Sequence, residues 1–412
     1  MFFVIGPKLA NAAAYSASDL LGQLNGSNGP VVYTKSDSNN APNDTGFNFS
    51  GLPGGGITID SVNHRAFVAD TKSNRVLVFS LDSSDVPIDH IADYVLGQNN
   101  FYTVSAPAIS STTLDYPMGL AYDSVNNRLF VGDDGYDSRI MVFDFSSGIT
   151  NKMPASYILG GTDINNYGDY TTASSSFAGA QDLAYDATNS RLFALDNTNN
   201  RVLIFNLSSG ITNGMPASYV IGQTTFASST TGTTSSTVNF ASSKDSSIAY
   251  DSVNQRLFVA DANNHRVLIF DVASGSVANG MPASFVLGQT SFTGSGFSTT
   301  SSTLRFYDSG LAYDSANSRL FVGEDANAVV KIWNVATGSV SNGMPASFIL
   351  GTTTFGAGCF PAVSSSTLCN ISGLAYDANN HLYLVDHNGS RVMIWSVATG
   401  TVTNGMPATN LL

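Results

Sequence analysis

A short motif ending in aspartate occurs six times, at Asp60, Asp123, Asp186, Asp251, Asp314 and Asp377, with spacings of 63, 63, 65, 63 and 63 residues. So regular a period restricts the chain to architectures in which one small unit recurs and buries its faces only against its neighbours, a propeller or a solenoid. The unit is clearest from Ser247 to Gln289: SIAYD, a turn, RLFVAD, a polar turn, RVLIFD, an ASG..NGMPAS connection, then FVLGQ. Four segments rich in β-branched and aromatic residues, separated by turn formers, read as four strands. Repeats are expected near 56–118, 119–181, 182–246, 247–309, 310–372 and 373–412. They override the two domains that length alone suggests, because about 350 residues belong to one array.

Alternation within the unit sets the packing. Leu120 and Tyr122 fall on one face of the first strand, Ala121 and Asp123 on the other. Small residues suit this strand to a crowded centre, and the aromatic LF and IF strands fill the widening space outside it. In the first unit, strands are expected near 57–60, 66–69, 75–79 and 93–97. YDSVNNRL, YDATNSRL and YDSVNQRL place Asp, Ser and Asn in a tight hairpin, where their side chains satisfy turn amides. A second hairpin runs from Asp70, Asp133, Asp196, Asp261, Glu324 or Asp386 to Arg75, Arg139, Arg201, Arg266, Val329 or Arg391. Carboxylate and guanidinium can form a fork that pins this turn. Repetition in almost every copy argues for structure, since an active site is normally assembled once. The fifth copy departs, with Glu324 and Asp325 in place of one acid and Val329 in place of arginine. Its carboxylates need water, another cation or a ligand.

RLFVADANNHRVLIF, with SIAYDSVNQ upstream and FVLGQTSF downstream, resembles the NHL repeat, and the last copy contains Asn380, His381 and Leu382 in sequence. The resemblance runs from about residue 56 onward and implies an all-β fold, a six-bladed β-propeller of four-stranded antiparallel blades. Such a ring closes when one terminus completes the blade begun by the other. The C-terminus stops at PATNLL, while the N-terminus offers ASDLLGQ at Ala17 to Gln23. Closure by the N-terminal strand, within residues 1–23, is the expectation; the alternative keeps ATNLL in the sixth blade. The opening MFFVIGPKLANAAA has an ANA-like site but no basic n-region and only a brief apolar stretch. FFV aligns better with the third strand of a repeat, as in a chain cut from a longer array.

Seventeen basic against thirty acidic residues leave a net charge of −13, which repels phosphate backbones and anionic headgroups. Nucleic-acid binding, the habit of some intracellular NHL propellers, is therefore disfavoured, and no apolar run approaches the roughly 18–20 residues that cross a bilayer. A soluble monomer without membrane insertion is expected. The two cysteines, Cys359 and Cys369, share one Ser/Thr-rich connection. A bridge between them would stabilise by roughly 2–4 kcal/mol and would belong to an extracellular or cell-envelope compartment; free thiols are the alternative, and zinc would need further ligands.

Function is sought where copies differ. Connections from the fourth strand to the next first strand, and from the second strand to the third, lie on one face around a propeller's channel, and loop variation on a rigid scaffold tends to carry function. The distinctive residues there are Tyr116, Asp182 after Gln181, Lys244 with Asp245, and Arg305, Tyr307 and Asp308, joined by Glu324 and Asp325 of the irregular fifth turn. Solvated loop decoration is the bland reading of the same residues. The resemblance makes a divalent-metal lyase or lactonase the catalytic alternative, yet His64, His90, His265, His381 and His387 occupy scattered positions. A carboxylate-only calcium site would fall on Asp133, Asp134 and Asp137 of the DDGYD turn, which reads equally well as a solvated acidic turn. No GxSxG elbow, glycine-rich phosphate loop or CxxC pair occurs. The expectation is a non-catalytic binding or scaffolding propeller without a cofactor, facing a protein, peptide or glycan.

Overall fold

The structure, a computed structural model, describes residues 20–21, 42–49, 55–104, 108–135, 138–240, 246–352, 355, 367–387 and 389–404. Its strands form six four-stranded antiparallel sheets. The first blade runs Ile57–Asp60, Arg65–Asp70, Arg75–Ser80 and Tyr94–Leu96 from the centre outward. These bounds lie within one residue of those expected from alternation. Four further blades repeat the order, and the sixth adds Leu20–Leu21 outside Arg391–Ser396, with Leu20 opposite Met393 and Leu21 opposite Val392. The N-terminal strand therefore closes the ring. The competing segment ATNLL lies outside the described residues. Helix among the described residues is limited to three single 3₁₀ turns, Thr71–Ser73, Ala262–Asn264 and Asp325–Asn327.

Six apolar clusters hold the blades together, one in each interface. Between the first two blades, Phe67, Val78 and Leu96 meet Leu129, Met141 and Ile158; across the closure, Ala66, Leu77 and Phe79 meet Tyr383, Val392 and Ile394. Polar contacts fix the register. Asp60 accepts the Val62 and Asn63 N–H groups and the Asn63 amide, and it binds Arg65 at 2.5 Å. The same aspartate–arginine pair recurs as Asp186–Arg191, Asp251–Arg256 and Asp314–Arg319. In the second blade Arg128 turns to Asp144, and in the sixth His381 binds Asp377 at 2.7 Å. Arg65 also donates to the Tyr122 hydroxyl of the next blade at 2.8 Å. Burial, with the Asp60 carboxylate beside it, pushes that phenol well above its ordinary value.

The exposed outer edge of each of the first five blades is covered by its successor. Asn151, Asn213, Asn279, Asn342 and Asn404, from the NGMPAS-type connections, accept the outer-strand N–H groups of Val95, Ile158, Val220, Val286 and Ile349 of the preceding blade, at 3.0–3.1 Å. The residue after the asparagine takes positive φ in described copies, 57° at Lys152 and 69° at Gly214, which explains the usual glycine. At the seam between the first and last blades the device differs. Asp85 is fully buried; it binds His64 at 2.7 Å, accepts the Asn379 amide at 2.9 Å, and its carbonyl accepts the Tyr383 hydroxyl at 2.5 Å.

The second hairpin carries the expected forks, and they are fully buried. Arg75–Asp70, Arg139–Asp133, Arg201–Asp196 and Arg266–Asp261 approach to 2.6–3.1 Å with no exposure on either side, and Arg391–Asp386 is nearly as enclosed. Each guanidinium also reaches loop carbonyls: Arg75 binds those of Phe101 and Gly46, and Arg266 those of Phe292, Thr234 and Thr237. One side chain thus ties the connections entering and leaving its blade. In the fifth blade the missing cation is Lys331, two residues beyond Val329 on the same strand face. Its ammonium lies 2.6 Å from Glu324 and donates to the Thr300 and Thr303 carbonyls, the counterparts of Thr234 and Thr237. The longer acid compensates for the displaced base.

Removing one partner of a buried pair strands a charge, so Arg266→Ala should lower unfolding free energy by about 3–5 kcal/mol. Urea denaturation measures this, and a loss under about 1 kcal/mol would mean that the site behaves as a solvated pair.

Candidate functional site

Six inner strands surround a central cavity of about 300 Å³, which all six line. Near the face that carries the buried forks, one position per blade forms a neck: Gly56, Gly119, Asp182, Ser247, Gly310 and Gly373, at the same spacings as the aspartate motif. A Cβ at Gly56 would fall 2.1 Å from the Met118 carbonyl oxygen, one at Gly119 2.4 Å from the Asp182 Cα, and one at Gly373 2.3 Å from the Gly55 carbonyl oxygen. Only bare backbone fits where adjacent inner strands touch. Gly310 is looser, with its nearest neighbours at 3.1–3.2 Å.

Asp182 and Ser247 break the glycine ring and stitch three blades together. Asp182 Oδ1 accepts the Leu183 N–H at 2.8 Å; its Oδ2 accepts the Ser247 hydroxyl at 2.7 Å and the Ile248 N–H at 2.8 Å. Ser247 Oγ accepts the Leu311 N–H of the fifth blade at 3.0 Å. Burial pushes the Asp182 carboxyl up to about 6 although these donors pull the other way. Gln181, beside it in a bulge of the strand, and Ser246, 2% exposed, line the same cavity. Gln181 Oε1 and Ser246 Oγ have no hydrogen-bond partner among the described residues.

The other expected residues separate into occupied, outward-facing and undescribed groups. Asp133 belongs to the Arg139 fork and also accepts the Asp115 N–H at 2.6 Å. Asp134 next to it is pushed up to about 8 by burial and the nearby Asp196 carboxylate, against the pull of the Ala180 N–H. Asp137, Lys244 and Asp245 lie outside the described residues. Cys369 is disulfide-bonded, and Cys359 falls outside the described residues. Glu324 is held by Lys331, while Asp325 accepts the Tyr307 N–H at 2.9 Å and rises to about 6 through burial and its neighbour Asp308. Tyr116, at φ 55°, donates its N–H to Asn74 Oδ1, and its ring faces Lys72 at 5.4 Å. Among the described residues, no three His, Cys, Asp or Glu side chains gather as a metal site would require.

Arg305 and Tyr307 meet in a group that sequence reasoning saw only in part. The Arg305 guanidinium lies 5.2 Å from the Phe297 ring and 5.4 Å from the Tyr307 ring, and it donates to the Tyr307 hydroxyl at 3.0 Å. Phe297, an isolated aromatic in a Ser/Thr/Gly run, packs edge-on against His265 at 4.9 Å. Phe297 is 57% exposed and Tyr307 47% exposed. The backbone beneath is fixed: Phe306 is buried, and its N–H donates to His265 Nδ1 at 3.1 Å.

Two outcomes follow. Gly56→Ala should cost several-fold more stability than Gly310→Ala, because only the first sets a Cβ against rigid backbone; equal losses in urea would mean that the neck yields. Between the ordinary aspartate value and about 8, folded Asp134 keeps a proton that the unfolded chain releases. Stability conferred by this group therefore falls as pH rises through that window. Asp134→Asn should leave the melting temperature unchanged near pH 4 and raise it by roughly a few degrees near pH 8, as calorimetry across pH would show.

In comparisons with known proteins, residues 246–270 match the NHL repeat family. A search of curated protein sequences finds no match. Among solved structures, the fold is similar to a protein of unknown function from Bacteroides thetaiotaomicron VPI-5482, with a TM-score of 0.52 and 13% identity over 87% of this chain and 72% of that one. It is also similar to the β-propeller domain of Myceliophteria thermophila Cps50 (Swd1), at TM-score 0.46 and 10% identity over 84% and 98% of the two chains. A chain of the nidogen/laminin complex gives TM-score 0.48 and 13% identity over 84% and 96%. At these identities the likeness concerns fold alone. The chain is a six-bladed β-propeller whose fourth blade carries a segment, residues 246–270, that matches the NHL repeat.

Proposed function

We propose that this propeller is a non-catalytic binding or scaffolding protein whose loop-bearing face holds an extracellular protein, peptide or glycan. The carrying observation is the Phe297–Arg305–Tyr307 group. Two exposed rings flank one guanidinium, and the backbone beneath them is anchored by buried Phe306 and by the Asp325 carboxylate. Tyrosine, phenylalanine and arginine are the residues that concentrate binding energy at interfaces, and a pre-ordered platform loses less conformational entropy on association. In the same connection the Ser298, Thr300 and Thr303 hydroxyls bond to one another, which helps to order the loop. The disulfide at Cys369 supports an oxidising compartment.

Peptide and glycan arrays probed with wild-type protein and with Tyr307→Ala and Arg305→Ala variants test this reading. A ligand retained by wild type should lose roughly tenfold or more in affinity in each variant, the usual cost of truncating a hot-spot residue, with melting temperature preserved. Retained affinity in both variants would move the interface off this platform.

A further inference from the structure

We propose that the polar arc of the channel neck, formed by Gln181, Asp182, Ser246 and Ser247, is a binding site for one primary ammonium group carried on an alkyl chain. The site is separate from the aromatic platform and does not rest on it. The repeated motif acids that end the second strands each hold a basic partner within the protein, from Asp70–Arg75 to Glu324–Lys331. Asp182 holds N–H and O–H donors instead, and no basic side chain pairs with it among the described residues. Ser246 is 2% exposed and Gln181 Oε1 is buried; both line the cavity beside it with oxygens that have no hydrogen-bond partner among the described residues.

The chemistry selects among cations. An ammonium carries three N–H donors in a compact head, matching a carboxylate lone pair together with the hydroxyl and amide oxygens. Of the roughly four lone-pair positions on a carboxylate, the Leu183 N–H, the Ser247 hydroxyl and the Ile248 N–H already take three on Asp182, leaving room for a single N–H donor of an incoming cation. A divalent ion needs more anionic oxygen than one carboxylate supplies. Next to the neck along each inner strand, an aliphatic ring from Ile57 to Leu374 lines the cavity and suits an alkyl stem. The chain's net charge of −13 favours entry of a cation. Burial has already driven the carboxyl upward, and an incoming positive charge relieves that cost.

The test titrates n-butylammonium chloride into the full chain by calorimetry at constant ionic strength, with tetramethylammonium chloride and calcium chloride as parallel probes. Saturable one-to-one binding of butylammonium, with none of tetramethylammonium, which lacks N–H donors, is expected. Asp182→Asn should weaken it roughly tenfold or more, the scale of a lost charge-assisted hydrogen bond. Should that variant fail to fold, the Gln181→Leu/Ser246→Ala double variant, which leaves the Asp182–Ser247 stitch intact, is expected to weaken butylammonium several-fold. No saturable butylammonium binding, equal binding of tetramethylammonium, calcium in preference to the amine, or unchanged affinity in the folded variants would each overturn the proposal. Because Tyr307 and Arg305 are untouched, such a failure leaves the platform reading standing.

Discussion

A guanidinium buried at the end of a hairpin is the interaction on which the rest of this structure depends. Apolar contacts between blades are non-directional and tolerate sliding; they cannot decide where a long, hydroxyl-rich connection runs. Arg75 and its counterparts can, because one oxygen of the partner acid takes the guanidinium while the remaining N–H groups reach carbonyls in two separate connections. Once enclosed, such a group cannot leave without stranding its partner in a low-dielectric interior. Each loop-bearing corner is thus fixed from within, and the platform around Arg305 inherits its rigidity from the Glu324–Lys331 version of the device.

The period made the architecture legible, because a 63-residue unit of four alternating segments has few ways to bury both faces of its sheet. The second-hairpin forks were legible for the same reason: acid and base occupy facing strand ends. Other features were hidden by the geometry of strands. Lys331 lies two residues beyond the irregular Val329, and only the shared face of alternating residues brings it to Glu324. The arginines at second-strand starts, Arg65 among them, stood in plain sight beside the aspartate motif, yet the pairing shows only when the hairpin is folded. Phe297 lay in a polar run whose path follows from the whole connection. The NGMPAS asparagines act on the neighbouring blade, so no inspection of a single unit reveals their role.

Asymmetry at the neck illustrates what repetition conceals. Four of six equivalent positions are glycine, and at three of them, Gly56, Gly119 and Gly373, backbone meets backbone. In the third and fourth blades the side chains of Asp182 and Ser247 occupy the contact and turn it into a hydrogen-bonded relay. Of the residues singled out by divergence, Asp182 reaches the cavity, whereas Asp133 and Glu324 are absorbed into buried ion pairs. Divergence from a repeat therefore marks either a function or a compensated exchange, and the partner atoms distinguish the two.

Asp85 at the seam has a bearing on how the molecule assembles. Most of the blade is local in sequence, each hairpin closing over a few residues and each outer edge meeting an asparagine roughly one repeat away. Contacts of that kind form early, since little chain entropy is surrendered in making them. Asp85, by contrast, meets Asn379 and Tyr383 across separations of 294 and 298 residues. Because the entropic cost of closure grows only logarithmically with length, this joint costs just a modest increment more than a contact between neighbouring blades. The contacts of Asp85 thus tie together segments almost three hundred residues apart and hold the first blade to the last.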